Sequence, residues 1–271
     1  MNDNPLRNVT CEQVSDDEYR ALNQACGFVP FSNRTQLEIR GSDRQRFLHN
    51  LCTNEIASLQ PGQGCEAFVT TVQGKCLGHI LVFAGPDSLV VETVPDQAEL
   101  LLAHFDRYLI TEDVQLADRS SEWSEIALVG PGASSLVEAL VGESIASIGE
   151  HQAASVEGET VWIRRVPWAT VPAFLLACPS ERQSVLQDTL IAREALPCSA
   201  ATLQALRLEA AYPHFGWDIS EANLPQEVDR NQQAISFEKG CYLGQETIAR
   251  IDALGHVNRL LVRVRCDAEL S

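Results

Sequence analysis

Nowhere does this chain of 271 residues carry an apolar run approaching the roughly 20 residues a membrane-spanning helix needs. Its longer apolar stretches, such as Ile80 to Ala84 and Ala173 to Cys178, have the length of strands, so no membrane partner is expected. No C-x-x-C pair occurs. The nine cysteines, at positions 11, 26, 52, 65, 76, 178, 198, 241 and 266, are odd in number and scattered, which argues against a disulfide framework or preformed zinc site and for a reducing compartment. There is no Lys/Arg-rich run either. With 20 basic against 37 acidic residues and a net charge of −17, the chain lacks the basic surface that backbone contact with nucleic acid requires, so any link to RNA is indirect. The first twenty residues include Asp3, Glu12, Asp16, Asp17 and Glu18 and no apolar core. They resemble neither a secretory signal nor an Arg-rich transit peptide, and we expect a cytoplasmic protein.

What is present is a globular composition, 45% apolar, with two successive patterns of strands and helices. After an extended start, Phe31 to Arg40 alternates as a strand. Ser42, with Gln45 three residues on, is placed to cap a helix through Phe47, Leu48 and Leu51. Asn54 follows its end, where an asparagine serves equally as a left-handed cap or as a ligand. Three runs, Cys65 to Val72, Cys76 to Ala84 and Ser88 to Val94, are joined by short turns and predict an antiparallel meander. Gly74-Lys75 lacks the rest of a phosphate loop, and His79 reads as a structural histidine within a strand. Asp96 is expected to cap a helix through Leu100, Leu101, His104, Phe105 and Tyr108, and Val114 to Ala117 returns as a strand.

From Glu125 the pattern begins again: a strand, the plain turn Gly130-Pro131-Gly132, a helix through Leu136, Val137 and Leu140, two strands near Val161 and Phe174, and a helix from Ser180 to about Glu194. The chain therefore reads as α+β, in two units, rather than as an alternating parallel sheet. Ser199 to Ala211 is a further helix, on which Arg207 and Glu209 cannot both face inward unless it unwinds. Tyr212 to Ile219 is an aromatic-rich, ordered loop of the kind that carries function. Leu260 to Val264 is expected to resume regular structure.

One stretch does not look like core sequence. Lys239-Gly240-Cys241-Tyr242-Leu243-Gly244-Gln245-Glu246 packs a thiol, an ammonium, a carboxylate, a carboxamide and two glycines into eight residues. The glycines permit positive φ or close backbone approach. Lys239, two residues ahead of the thiol, is placed to favour its thiolate electrostatically. A lone cysteine is often a small core hydrophobe, so a structural Cys241 stays open beside a presented one.

In order and spacing, Leu206-Arg207-Leu208-Glu209-Ala210, Phe215-Gly216-Trp217-Asp218-Ile219, Leu224-Pro225-Gln226-Glu227 and Ile235 to Glu246 resemble the YgfZ family. That family is a branch of the folate-binding fold shared with the T-protein aminomethyltransferase of the glycine cleavage system. The resemblance implies a GcvT-like fold of duplicated ferredoxin-like units around a central cleft, with tetrahydrofolate or a derivative as cofactor. It also implies a role as accessory factor in iron–sulfur cluster assembly or repair, with iron–sulfur proteins or cluster carriers as partners and tRNA modification supported indirectly. By the same resemblance Cys241 and Lys239 carry the chemistry, and Arg207, Glu209, Asn54, Tyr242, Gln245 and Glu246 line the cofactor site. The implied layout is an N-terminal extension over 1–30, a folate-binding domain over 31–256 in units of about 31–120 and 121–256, and over 257–271 the start of a C-terminal β-barrel that is absent or truncated.

Two departures bear on the reaction. The T-protein branch has an acidic pair where this chain has Gly78 and His79. Its pterin-reading loop is replaced by Pro167-Trp168-Ala169-Thr170-Val171-Pro172-Ala173. Both argue against aminomethyl transfer, the alternative activity, and leave a non-catalytic folate-binding scaffold as a third reading.

Overall fold

A computed structural model describes residues 14–142, 144, 151–156 and 158–265. Its elements, in chain order, repeat one pattern. The first unit runs β2 (Thr35–Arg40), α2 (Arg44–Leu51), β3 (Gly64–Thr70), β4 (Cys76–Ala84), β5 (Ser88–Thr93), α3 (Ala98–Asp106), β6 (Gln115–Asp118). The second runs β7 (Trp123–Val129), α4 (Ala133–Val141), β8 (His151–Val156), β9 (Glu159–Arg165), β10 (Ala173–Pro179), α5 (Gln183–Ala192), β11 (Leu196–Pro197). Ahead of both come α1 (Asp16–Gln24) and β1 (Gly27–Phe31); α6 (Ala200–Glu209), α7 (Asn231–Ala234) and α8 (Gln245–Leu254) follow.

The first sheet has the order β3-β4-β5-β2-β6, the second β8-β9-β10-β7-β1-β11. Position by position these are the same sheet, with β1 inserted between β7 and β11. β1 pairs antiparallel to β7 and parallel to β11, so β11 still runs opposite to β7, as β6 does to β2.

Strand alternation explains how the layers stack, because successive side chains point to opposite faces. All of β4 is buried. Its Ile80, Val82 and Ala84 pack with Phe47, Leu48 and Leu51 of α2 and Leu101 and Phe105 of α3. Its Leu81 and Phe83 face the other way, into a cluster with Ala127 and Val129 of β7, Leu175 of β10, and Leu203 and Leu206 of α6. The intervening Ile126, Leu128, Phe174 and Leu176 pack under α4 and α5. Each unit is thus two layers, and the exposed-looking sheet faces become a shared third core.

The structure changes several expectations. The start is extended only over Gly27–Phe31, which form β1; ahead of it Asp16, Asp17 and Glu18 favour a helix N-terminus, and α1 buries Ala21 and Leu22. Phe31 to Arg40 is two strands in different sheets, broken at Ser32-Asn33, residues that compete with the backbone for hydrogen bonds. Ser42 does not cap α2; Asp43 holds that place, and the Ser42 hydroxyl donates to Asp113 Oδ2 at 2.8 Å. Gln97 rather than Asp96 precedes α3. Asn54 is no left-handed cap, since its φ is not positive. Residues 260–264 form no strand. Among the described residues no helix is long and apolar enough to cross a membrane, and no barrel follows α8.

Candidate functional site

The turn that precedes α8 is sewn to the end of α2 and to β3. Lys239 is buried, and its Nζ donates to His49 O at 2.6 Å, Cys52 O at 2.7 Å and Asn54 O at 2.8 Å. These carbonyls lie at the negative end of α2, where orphan acceptors need donors. Burial pulls the Lys239 pKa down to about 8, while three carbonyl oxygens favour the ammonium, which stays charged at pH 7. With three protons so engaged, and its Nζ 4.9 Å from the Tyr242 ring centroid, Lys239 acts on the protein backbone rather than on Cys241.

Neighbouring bonds complete the seam. Ser236 N donates to Thr53 O at 2.9 Å and Leu243 N to Asn50 O at 2.9 Å. The Thr53 hydroxyl donates to Ala234 O at 2.6 Å and Thr70 Oγ1 to Leu243 O at 2.6 Å. Asn54 Nδ2 donates to Glu66 O at 2.7 Å and Gln233 O at 2.8 Å, tying α7 to β3. Gly244, at φ 82, lies so near the β3–β4 turn that a Cβ there would fall 2.5 Å from Thr71 O. Glycine is required at that point; Gly240 has open space around it and no such demand.

Cys241 emerges from this fastened turn exposed. Of the other described cysteines, Cys52, Cys76, Cys178 and Cys198 are buried and Cys26 and Cys65 half-buried. Burial pushes Cys26, Cys178 and Cys198 up to about 11 and Cys65 and Cys76 up to about 12, so these remain thiols at neutral pH. Glu246 is exposed, Tyr242 is buried, and Gln245 Nε2 reaches Gly240 O at 3.5 Å.

Arg207 occupies a second place. It points inward from α6, buried, with Nη1 on Asp218 Oδ2 at 2.6 Å and on Tyr212 O, and Nε on Gln204 Oε1 at 2.9 Å. Glu209 faces outward, accepting from Tyr19 Oη at 2.7 Å, so α6 need not unwind. Arg207 and Glu209 therefore do not share one site.

Between these places lies a core of buried charge that the sequence did not single out. Glu66 accepts from His79 Nε2 at 2.8 Å and from Arg230 Nη2 at 2.5 Å. Burial would raise its pKa, but His79 and Arg230 outweigh that and hold the carboxyl low. The His79 ring stacks on Phe68 and lies tilted at 35° against Tyr212, and Arg230 lies 5.0 Å from the Tyr212 centroid. Farther along, Arg34 pairs with Glu92 and sits 4.5 Å over Trp168, while Arg164 Nη1 donates to Glu125 Oε1 at 2.6 Å. Burial lifts Glu92 to about 7 despite Arg34. Trp168 Nε1 and His214 Nδ1 are buried polar atoms left without partners among the described residues. The clue in the sequence was weak: Glu66, Glu92 and Glu125 stand in otherwise apolar strands, where a carboxylate must be paired.

Two stacked α+β layers with a central polar core, closed by a late segment folding back on the first unit, define a class of duplicated α+β domains. The chain belongs to the family described as GCVT N-terminal domain, which it matches over residues 6–239; Cys241 falls just past that span. It is similar to an aminomethyltransferase of Herpetosiphon aurantiacus, 27% identical over 90% of this chain and 68% of the relative. An aminomethyltransferase of Geobacillus kaustophilus is 25% identical over 90% of this chain and 69% of the relative. The fold matches the glycine cleavage system aminomethyltransferase T of Bartonella henselae with a TM-score of 0.77 at 18% identity, covering 88% of this chain and 66% of that one. The chain thus spans about two thirds of the length of the proteins it resembles.

Proposed function

We propose that this protein binds a reduced folate between its two units and works, as a YgfZ-type accessory factor, in the assembly or repair of iron–sulfur proteins, with Cys241 as its working thiol. The observation that carries the second half is the exposure of Cys241 on a rigidly fastened turn while the other described cysteines are shielded. A single thiolate supplies one ligand or one redox equivalent, so it suits transient sharing with a client rather than a stable cluster; among the described residues no group of three metal-ligating side chains is gathered. Family membership supports the folate. The unpartnered Trp168 Nε1 and His214 Nδ1, near Tyr212 and Arg207, fit a heterocycle with acceptors and donors on its edge. Trp168, His214, Arg207 and Asp218 would hold it, and the bound folate would supply a one-carbon carrier.

A second reading is folate-dependent aminomethyl transfer, and the names of the relatives speak for it more directly than for the first. It has one local observation in its favour: Glu92, with its pKa near 7, can hold or release a proton at neutral pH as a general acid–base must. Against it stand Gly78, with no side chain, and His79, whose imidazole is taken by Glu66.

Calorimetry with tetrahydrofolate should show binding that Arg207→Ala weakens about tenfold or more, the scale of a lost charged hydrogen bond; equal affinity would remove Arg207 from the site. In a strain lacking the gene, Cys241→Ala should fail to restore iron–sulfur enzyme activity, and full restoration would refute the thiol reading. Formation of methylene-tetrahydrofolate from an aminomethyl donor by the purified protein would establish the second reading.

A further inference from the structure

A cavity of about 510 Å³ opens in the seam between the two sheets. None of its lining residues belongs to the turn at 235–246 or to the cluster around Arg207. One wall is β2 with the β4–β5 turn, the other is β8 and β9, so both units contribute. Its size falls in the range of about 300–1,000 Å³ typical of small-molecule sites.

The lining is aromatic and balanced in charge. Trp123 and Trp162 both face it, and the Trp162 ring lies parallel to that of His151, 4.4 Å apart at 8°. The arginines Arg40, Arg119 and Arg164 are matched by Glu38, Asp87 and Glu122. They are already engaged: Arg40 with Glu38 at 2.8 Å, Arg119 with Glu38 at 3.1 Å and Glu122 at 2.8 Å, and Arg164 with Glu125 at 2.6 Å. A phosphate or carboxylate would find no spare cation and would meet the carboxylates of Asp87 and Glu122. A flat uncharged ring, by contrast, finds an indole surface, and stacking of bases on aromatic side chains is favourable and tolerant of base type.

Two lining residues also carry an unmet hydrogen-bonding atom. Arg164 Nε and His151 Nδ1 are buried and have no partner among the described residues. Burial and the nearby Arg164 push the His151 pKa down to about 3, so the imidazole is neutral at pH 7. The guanidinium N–H calls for an acceptor, and a neutral imidazole nitrogen takes either role according to tautomer. A nitrogen heterocycle offers both along one edge.

We propose that this seam binds a neutral, planar nitrogen heterocycle of purine-nucleoside size, stacked on Trp162 and held at its edge by Arg164 and His151. The inference does not depend on the folate reading, and one experiment separates them. The chain has four tryptophans, two in the seam and two, Trp168 and Trp217, outside it. In the full-length protein labelled with nitrogen-15, adenosine and guanosine should shift and saturate the indole N–H signals of Trp123 and Trp162 and leave those of Trp168 and Trp217 in place. Tetrahydrofolate should instead move Trp168. Trp162→Leu, with its circular dichroism unchanged, should weaken nucleoside binding about tenfold or more, as expected for one lost stack. If that variant does not fold, the wild-type spectra decide. Absence of shifts at Trp123 and Trp162 with either nucleoside at millimolar concentration, shifts confined to Trp168 and Trp217, or unaltered binding by a folded Trp162→Leu would each overturn the proposal.

Discussion

The two units share one element order and, apart from the inserted β1, one sheet order, yet among the described residues only the first has its outer hairpin covered. The β3–β4 turn is overlaid by the segment from 231 to 248: α7 packs on β3, Lys239 holds the end of α2, and Gly244 abuts Thr71. The corresponding β8–β9 hairpin of the second unit has, among the described residues, nothing against Gly158, and its strands border a cavity instead. Duplication supplied two similar scaffolds. A late stretch of chain, folding back on one of them, made the two chemically unlike.

The largest expected effect comes from removing that cover at its anchor. Lys239→Met leaves three carbonyls without their charged donor and should cost about 3 kcal/mol in urea unfolding. A change below about 0.5 kcal/mol would mean that the turn is not fastened to α2 as described. Next, the two hairpin glycines set the units directly side by side. Gly74 and Gly158 both have positive φ, but a Cβ on Gly74 would meet Thr247 at 2.9 Å and Gly244 O at 3.0 Å, whereas Gly158 has open space. Gly158→Ala should cost about 1 kcal/mol from backbone strain alone, and Gly74→Ala about 2 kcal/mol or more. Equal losses would abolish the contrast.

Acidity should act oppositely on groups in the shared core and the seam. Glu92 has its pKa raised to about 7, so its contribution to stability is complete below the unfolded carboxylate range and is lost as pH rises from about 4.5 through 7. The slope is at most about 1.4 kcal/mol per pH unit. His151 is lowered to about 3, so its contribution is present above the usual histidine range and is lost as pH falls below about 6.5 toward 3. Glu92→Gln should flatten the first dependence and His151→Gln the second, read from urea midpoints across pH; an unchanged profile in Glu92→Gln would show that the carboxyl is ionised throughout. The smallest effect belongs to Cys241. Its replacement by Ala should move stability by no more than about 0.5 kcal/mol, while removing the one of the described cysteines that iodoacetamide should modify first in the native protein.

Much of the architecture was legible because it rests on periodicity. The restart of the pattern near Glu125 marked the duplication, and the nearly continuous apolar run of Cys76 to Ala84 marked a buried strand. The eight-residue turn stood out by composition, and its exposure of Cys241 agrees with a presented thiol. What could not be read was partnership. Lys239 adjoins Cys241 in sequence, but its acceptors are the carbonyls of residues 49, 52 and 54, nearly two hundred positions away. Arg207 and Glu209 are neighbours that serve opposite faces of one helix. Glu66, Glu92 and Glu125 were lost among apolar neighbours, because nothing local announces which distant arginine will neutralise a strand carboxylate.

The insertion of β1 between β7 and β11 makes the path of the chain a parenthesis. The second sheet opens with residues 27–31, is interrupted by the whole of the first unit, and is resumed at Trp123. During synthesis the first unit has all its strands before β1 meets any partner, so β1 must wait, unpaired, for β7 and longer still for β11. Cutting away the first 31 residues would not trim an appendage. It would take out an inner rung of the second sheet and leave β7 and β11 separated by the width of a strand.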